Sequence, residues 1–286
     1  MFTKSDFMSV PNMFTVRGLE LMAELATIAG KPVPKYATEA AALKKAVVAH
    51  MWDTKAERFC DGPCTTTPSH GIYSDMYPLW MGLVPEASTG KVWKALTGFG
   101  LEQIGDYGAF IYFHALAMYP AGDTGQAALK ALTKCDEYSW CHMMEAYDAT
   151  MTREAFTSGT MSHAWGTAPI TGTVNGIMGL SQTAPAYKEF TVKPRLGEVK
   201  SASVKVSTPH GYIWINATSA GETVAVSVPC NTRASLCAVV PEESTLRLAL
   251  DGEVLVSDAV RMDGNHACVD AVGCGAGGAA RSLNWV

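Results

Sequence analysis

The sequence lacks two features that would connect it to membranes or to nucleic acids. No apolar run approaches the roughly 20 residues that a transmembrane helix requires, and the start, MFTKSDFMSVPNMF, has no basic segment followed by an apolar core. Lys and Arg number 22 against 27 Asp and Glu, which leaves a net charge of −5, and the basic residues are scattered. Phosphate backbones and anionic lipids require clustered positive charge. We therefore predict neither a membrane nor a nucleic acid as a partner.

The eight cysteines lack the Cys-x-x-Cys spacing of a zinc site or a thioredoxin-type site. No histidine is spaced to complete such a cluster, so the sequence predicts neither a metal nor another cofactor. The cysteines fall in close couples, which favour short-range disulfides: Cys60 with Cys64, Cys135 with Cys141, Cys230 with Cys237, and Cys268 with Cys274. Buried free thiols of a cytosolic protein are the alternative. The sequon Asn216-Ala217-Thr218 agrees with disulfides in predicting an extracellular or secretory location.

Periodic apolar residues predict helices in the first two thirds of the chain. With 48% hydrophobic and 17% charged residues, the 286-residue chain has the composition of a globular protein of one or two domains. Apolar residues return at every third and fourth position, which is the helical period. Turns rich in Gly and Pro separate about seven helices. The predicted helices are 14–29, 36–51, 74–83, 89–104, 107–118, 124–132 and 161–180.

The period changes near Pro185, where alternation of apolar and polar residues replaces the helical pattern. Turn signals lie between the alternating segments at the spacing of a β-sandwich. We therefore predict a helical domain over residues 1–188 and an antiparallel β-sandwich over residues 189–286. The predicted strands are 190–193, 202–206, 212–216, 224–228, 246–250 and 254–256, and the Gly- and Ala-rich tail from Cys274 stays unassigned.

Several strings occur in the order, and with the natural spacing, of one enzyme family. They are LWMGLVPEASTGKVWKAL, GDYGAFIYFHALAMYP, YSWCHMMEAYDATMTREAF, SHAWGTAPITGTVNGIMGL and FTVKPRLGEVKSASVKVSTPHGYIWIN. Together they resemble the bacterial-type α-L-rhamnosidases, from about Asn12 to about Val240. The resemblance implies an (α/α)6 barrel of six helical hairpins, a C-terminal β-sandwich, and inverting hydrolysis of terminal α-L-rhamnose from a rhamnose-containing glycoside.

Inversion requires two carboxyl groups, an acid for the departing oxygen and a base for the attacking water. The family's base is a Glu in a segment resembling Gly-Ala-Thr-Thr-x-Trp-Glu. Here the segment that begins at Asp148, DATMTRE, occupies that register and ends at Glu154, so the resemblance implies that Glu154 is the catalytic base. Arg153 departs from the family pattern, which has an aromatic residue there. An arginine pointing into the site would lower the pKa of Glu154 or fill the space meant for the sugar.

The family's general acid lies in a segment resembling Asp-x-x-x-Arg-Asp-Glu-x-x-Gly-Trp, which has no counterpart among these 286 residues. About seven helices are also too few for an (α/α)6 barrel. We therefore expect a sequence that begins partway through the barrel. The predicted fold class is α+β multidomain, with an incomplete (α/α)6 toroid of helical hairpins followed by a small antiparallel β-sandwich. Asp75 and Asp106 are spare carboxylates that can substitute as proton donors, although a loop cap also explains Asp106.

Side chains that flank Glu154 are candidates for contact with the sugar. The resemblance implies that His163 faces the sugar, where a neutral imidazole bonds a ring hydroxyl. Trp165 and Trp140 lie on either side of Glu154 in the chain, and with Tyr107 they are predicted to form apolar walls of the substrate site. For each of these residues the alternative is a packing role, because aromatic residues in a helical array belong more often to the core.

Two other hypotheses compete with an α-L-rhamnosidase-like hydrolase. The chain can be a non-catalytic carbohydrate-binding relative that kept the sugar-facing wall after losing the acid. It can also be a truncated fragment that does not function unaided. An incomplete toroid exposes helix faces meant for burial, so self-association is predicted, and a clean monomer in light scattering would count against it.

Overall fold

The structure, a computed structural model, describes residues 6–119, 122–148, 151–218, 221–241 and 247–286. Contacts within the chain divide it into two compact units, Met1–Tyr119 and Pro120–Val286. The boundary at 188/189 marks the predicted change from helix to strand and remains a prediction. In the described part of the chain, no helix has both the length and the apolar character needed to cross a membrane.

The first unit consists mainly of helices, as the apolar periodicity predicts. Its elements are α1 (Ser9–Ile28), α2 (Pro34–Met51), a two-stranded ribbon of β1 (Trp52–Asp53) and β2 (Arg58–Phe59), α3 (Ile72–Trp80), α4 (Thr89–Thr97) and α5 (Leu101–Ala117). The predicted helix 89–104 is wrong, because α4 ends at Thr97 and α5 begins at Leu101. The predicted break near Gly105 appears as a kink inside α5, where Gly105 has φ 69°.

The core of the first unit covers only part of α1. Met13 and Val16 of α1 pack with Val47 and Met51 of α2 and with Phe59. Other apolar residues of α1 stay on the surface, among them Phe14, Leu21, Met22, Leu25 and Ile28, with exposed fractions from 40% to 75%. These exposed side chains support self-association, which stays a prediction.

In the second unit the helical part is more broken than the sequence predicts. It holds α6 (Thr124–Thr133), α7 (Trp140–Tyr147), a 3-10 turn (Ala164–Thr167), α8 (Ala168–Thr171) and a π-helical turn (Gly172–Ile177). The predicted continuous helix 161–180 is therefore wrong. Ser162 has φ 64°, which an α-helix does not allow, and residues 151–163 form a loop. Helix α7 has no counterpart among the predicted helices.

Two sheets form the β-sandwich. Their strands are β3 (Leu180–Gln182), β4 (Glu189–Val192), β5 (Ser201–Thr208), β6 (Gly211–Thr218), β7 (Thr223–Ser227), β8 (Arg233–Val239), β9 (Leu248–Leu250), β10 (Glu253–Val254), β11 (Arg261–Asp263), β12 (His266–Val272) and β13 (Arg281–Trp285). One sheet has the order β10-β9-β13-β7-β6-β5 and the other β11-β12-β8-β4-β3. All pairings are antiparallel except β4 with β8, which is parallel. Leu246 of a predicted strand lies outside the described residues.

Alternation along β6 shows how the sandwich core forms. Ile213, Ile215 and Ala217 are fully buried, whereas Tyr212 and Trp214 are 59% and 42% exposed. Successive side chains of a strand point to opposite faces of the sheet, so one set enters the core and the other faces outward. This part of the predicted sandwich is confirmed.

Four disulfides are present, and two of them differ from the predicted couples. Cys60–Cys64 and Cys135–Cys141 join neighbours as predicted. The others are Cys230–Cys274 and Cys237–Cys268, which correct the predicted pairs Cys230 with Cys237 and Cys268 with Cys274. The cause is strand geometry: cysteines six or seven residues apart along an extended chain lie roughly 20 Å from each other, beyond the reach of a disulfide. Cys237 of β8 lies directly opposite Cys268 of β12.

Candidate active site

Glu154 belongs to a loop of the second unit, residues 152–165, that folds back on itself. We call it the Glu154 loop. Its base is closed at Thr152, whose carbonyl accepts hydrogen bonds from the N–H groups of Ser162 and His163 at 2.6 and 3.3 Å. The Thr152 hydroxyl in turn donates to the carbonyl of His163. These bonds bring the two ends of the loop together, and with them Glu154 and His163.

A glycine allows the tip of the loop to approach Glu154. The N–H of Glu154 donates to the carbonyl of Thr160 at 2.9 Å. Gly159, with φ +85°, lies so close that a Cβ there would be 2.4 Å from the Cβ of Glu154 and 2.8 Å from its Oε2. Only glycine combines this φ with this proximity. Gly159 therefore sets the position of the Glu154 side chain.

The carboxylate of Glu154 is exposed, and the loop holds only one of its two oxygens. Oε2 accepts the N–H of Thr160 at 3.1 Å and the hydroxyl of Thr160 at 3.4 Å. Oε1 has no hydrogen-bond partner among the described residues. A carboxylate that is anchored through one oxygen keeps the other available to accept a proton from water.

His163 is joined to Glu154 through Thr160. Its Nδ1 lies 2.8 Å from the Thr160 hydroxyl oxygen, the same hydroxyl that donates to Glu154. That hydroxyl has one proton, so we assign the proton between it and His163 to the imidazole: Nδ1–H donates to Thr160, and Thr160 donates to Glu154. In a neutral ring with this tautomer, Nε2 is an acceptor. His163 can therefore bond a sugar hydroxyl, as the resemblance implies.

Both predicted tryptophans of this region contact the Glu154 loop. Trp165 is 37% exposed, lies with its ring centroid 4.3 Å from that of His163, and donates its indole N–H to the carbonyl of Glu154 at 2.8 Å. Trp140 begins α7, packs edge-on against Phe156 at 5.1 Å, and donates to the carbonyl of Gly166 at 2.8 Å. Trp165 thus presents a ring beside His163 and the backbone of Glu154, and Trp140 supports the loop. Their roles as sugar-contacting walls stay predictions.

Arg153 does not pair with Glu154. Its guanidinium lies over the ring of Tyr147, 4.2 Å from the centroid, in a cation–π contact. Tyr147 also donates its hydroxyl to the carbonyl of Thr157 at 3.2 Å. No ion pair joins Arg153 to Glu154 among the residues that the structure describes. Asp148, at the start of the motif, ends α7 with φ 46°, and Ala149 and Thr150 lie outside the described residues.

Tyr107 belongs to the first unit, in α5, and its side chain is 61% exposed. Its predicted contact with substrate stays a prediction. Thr160, Gly159 and Tyr147 were not among the predicted site residues. The Gly-Thr step in SGTMSHAW was the available signal, because glycine often allows a close backbone approach.

The two spare carboxylates are buried in the first unit. Asp75 is fully buried, and Arg58 donates to it through Nε at 3.0 Å. Burial raises the pKa of Asp75 above its usual value, while the hydrogen bond from Arg58 acts in the opposite direction. Asp106 is 2% exposed and accepts the N–H of Tyr107 at 2.9 Å. Asp75 is therefore committed to an internal ion pair.

Two clusters in the described residues have side chains close enough to hold a metal ion: Asp53 with Cys60 and His70, and Cys135 with Cys141 and Glu145. Every cysteine in them belongs to a disulfide. A disulfide sulfur is not the thiolate that metals bind. Neither cluster therefore offers a cysteine ligand while its disulfide is intact.

Solved structures share this fold. An alpha-L-rhamnosidase from Dictyoglumus thermophilum aligns with a TM-score of 0.73 and 16% identity over 96% of this chain and 31% of its own. The Streptomyces avermitilis enzyme, solved in complex with L-rhamnose, aligns with a TM-score of 0.70 and 20% identity over 96% of this chain and 26% of its own. The Aspergillus terreus enzyme aligns with a TM-score of 0.65 and 18% identity over 95% of this chain and 29% of its own. The chain thus spans less than a third of each protein. The shared architecture is a domain of helical hairpins followed by an antiparallel β-domain.

Two family models match the sequence. The bacterial alpha-L-rhamnosidase 6 hairpin glycosidase domain matches residues 1–171, and the bacterial alpha-L-rhamnosidase C-terminal domain matches residues 179–254. The chain belongs to the bacterial alpha-L-rhamnosidase family, which confirms the resemblance and the predicted fold class. Comparison with curated proteins gives no match.

Proposed function

We propose that the chain carries the general-base side of an α-L-rhamnoside-hydrolysing site, with Glu154 as the base. The observation that carries this proposal is the state of its carboxylate, which is exposed and has Oε2 bound to Thr160 and Oε1 without a partner among the described residues. The family membership supports the choice of α-L-rhamnosides as substrates.

In the proposed reaction, a water oxygen attacks the anomeric carbon of rhamnose from the face opposite the leaving group. Glu154 Oε1 accepts a proton from that water, the bond from the anomeric carbon to the departing oxygen breaks, and β-L-rhamnose forms. Nε2 of His163 accepts a hydrogen bond from a sugar hydroxyl, and the ring of Trp165 packs against an apolar face of the sugar.

A second carboxyl group, roughly 6.5 to 9.5 Å from the base, protonates the departing oxygen in inverting glycosidases. Within the Glu154 loop, Glu154 is the only carboxylate. The test therefore uses 2,4-dinitrophenyl α-L-rhamnoside, whose phenolate leaves without protonation. With this substrate, the base can be tested independently of any general acid.

We expect the purified chain to hydrolyse this substrate and to release β-L-rhamnose first, as detected by proton NMR. Glu154→Gln keeps the shape of the side chain but removes the base, and it should lower the rate about a thousandfold. Azide should restore turnover of Glu154→Ala and form β-L-rhamnosyl azide, because a small anion can replace the activated water. The control is Glu198→Gln, the same change at another exposed glutamate.

Release of α-L-rhamnose first, or equal rates for the parent chain and Glu154→Gln, would contradict the proposal. Absence of turnover together with binding of L-rhamnose in saturation-transfer NMR would instead identify a non-catalytic carbohydrate-binding relative.

A further inference from the structure

The outer face of the six-stranded sheet carries a patch that the Glu154 loop does not use. Lys205 of β5, Tyr212 and Trp214 of β6, and Ser227 of β7 line a shallow depression of about 610 Å³. We call it the Trp214 face. Tyr212 and Trp214 are 59% and 42% exposed, although burying such rings is favourable. Exposed aromatic patches with a polar rim mark interaction sites.

Strand pairing places these side chains in a regular array. Lys205 lies opposite Trp214, and Trp214 lies opposite Ser227, so the three form a row across β5, β6 and β7. The row spans roughly 10 Å, because neighbouring strands are about 4.8 Å apart. Tyr212 lies two residues from Trp214 on the same face of β6. The row is therefore long enough for two adjacent sugar rings.

The polar atoms of this patch are available to a ligand. Neither the indole N–H of Trp214 nor the hydroxyl of Ser227 has a hydrogen-bond partner among the described residues. The Lys205 ammonium lies 4.0 Å from the centroid of the Tyr212 ring and forms no ion pair with a described residue. A flat ring beside unpaired donors suits a ligand with one apolar face and hydroxyl groups around its edge.

The charge of the patch indicates which class of such ligands it would bind. Lys205 is the one charged side chain that faces outward from the described strands β5, β6 and β7, within a chain of net charge −5. A single positive charge on an acidic protein suits one carboxylate, whereas a nucleic acid requires many basic contacts. A pyranose ring that carries a carboxylate has both the apolar face and the single negative charge.

We propose that the Trp214 face binds a uronate-containing sugar chain. One pyranose ring stacks on Trp214, the carboxylate of a uronate residue pairs with Lys205, and Ser227 bonds a hydroxyl. This site is separate in the sequence and in chemistry from the Glu154 loop. The proposal does not depend on hydrolysis of rhamnosides.

The test is titration of the full chain with tetragalacturonate, which contains no rhamnose, by isothermal calorimetry. Its fully methyl-esterified form is the matched probe, because the two differ in charge at the carboxyl group. We expect saturable binding of the acid, about tenfold weaker binding by Trp214→Ala, and retained binding by Trp214→Phe, which keeps a ring. Lys205→Gln should remove the preference for the acid over the ester.

Control variants separate this site from the rest of the chain. Ser201→Ala, on the same face at the far end of β5, and Glu154→Gln should leave tetragalacturonate binding unchanged. Thermal unfolding of each variant checks that the fold is intact. Equal binding by folded Trp214→Ala, absence of saturable binding, a lack of preference for the acid, or tighter binding of oligothymidylate than of tetragalacturonate would each overturn the proposal.

Discussion

Asp61 in the first unit and Glu154 in the second show two uses of a carboxylate in one chain. Asp61 is fully buried and accepts hydrogen bonds from the N–H of Gly71 at 2.8 Å and the hydroxyls of Ser74 and Ser69 at 2.7 and 2.8 Å. Glu154 is exposed, with one oxygen bound to Thr160. A carboxylate with hydrogen bonds to both oxygens stabilises a fold, and one that is held through a single oxygen is available for chemistry.

The largest effect on stability is expected at Asp61. Asp61→Ala leaves the N–H of Gly71 and the hydroxyl of Ser74 buried without their acceptor, so the free energy of unfolding should fall by about 3 kcal/mol. Urea unfolding followed by circular dichroism measures this loss. Glu154→Gln should change the free energy of unfolding by no more than about 0.5 kcal/mol, because the side chain is exposed. Equal losses in both variants would remove the distinction between the two carboxylates.

Gly159→Ala tests whether backbone proximity positions Glu154. The new Cβ would lie 2.4 Å from that of Glu154, so the carboxylate must move, and turnover of the dinitrophenyl rhamnoside should fall about a hundredfold. Gly278→Ala is the matched control, because Gly278 has φ +80° and its Cβ would meet nothing within 4 Å. A similar loss of activity in both variants would mean that strain in the backbone, and not contact with Glu154, is responsible.

His266 extends the contrast to a buried imidazole. It is 1% exposed, its Nε2 lies 2.7 Å from the carbonyl oxygen of Pro194, and it faces Lys193, Arg195 and Asp263. Burial lowers the pKa of His266 from 6.5 to about 4; the charges of Lys193 and Arg195 act in the same direction, and the carbonyl of Pro194 and the charge of Asp263 oppose them. The folded protein therefore holds the neutral ring where the unfolded chain binds a proton.

The sign of the pH dependence follows from that difference. The contribution of His266 to the free energy of unfolding is fully present above pH 6.5 and is lost as the pH falls to about 4. We expect the free energy of unfolding to fall by about 2 kcal/mol across this range because of His266 alone. Urea unfolding at several pH values measures it, and His266→Gln should flatten the curve, whereas His210→Gln at an exposed turn should not. Parallel curves for the parent chain and His266→Gln would contradict the assignment.

The smallest effect is expected at Thr160. Thr160→Val keeps the shape of the side chain and the N–H that binds Glu154, but it removes the hydroxyl between Glu154 and His163. Turnover of the dinitrophenyl rhamnoside should fall about fivefold, the value of one hydrogen bond. Ser158→Ala, at an exposed position of the same loop, is the control. An unchanged rate in Thr160→Val would mean that this hydroxyl does not contribute to positioning Glu154.

Elements with a strong local pattern were predictable. The apolar period of α2 and the alternation of β5, β6 and β7 place these elements within a few residues of their observed bounds. The weaker patterns failed. Helix 161–180 was predicted from its apolar periodicity, but the loop through Ser162 has a backbone that no helix permits. Strand β13 was missed because the Gly and Ala before Arg281 obscure its alternation.

In the candidate site, the resemblance implied Glu154 and His163 but not the contact that joins them. The eight residues between them include Thr160, which resembles any other loop threonine in the sequence. Its role depends on the closure of the loop at Thr152, a hydrogen-bonding pattern between residues distant along the loop. No local propensity encodes such a pattern.

The disulfides separate the contributions of sequence and tertiary structure. Cys60 and Cys64 are four residues apart within a turn, so their pairing follows from the local chain. Cys237 and Cys268 are 31 residues apart, and they meet because β8 and β12 pair in one register. Periodicity, turns and motif order depend on neighbouring residues and can be read along the chain. Partners across strands, and the orientation of Glu154, depend on which distant segments pack together, and only the folded structure determines that.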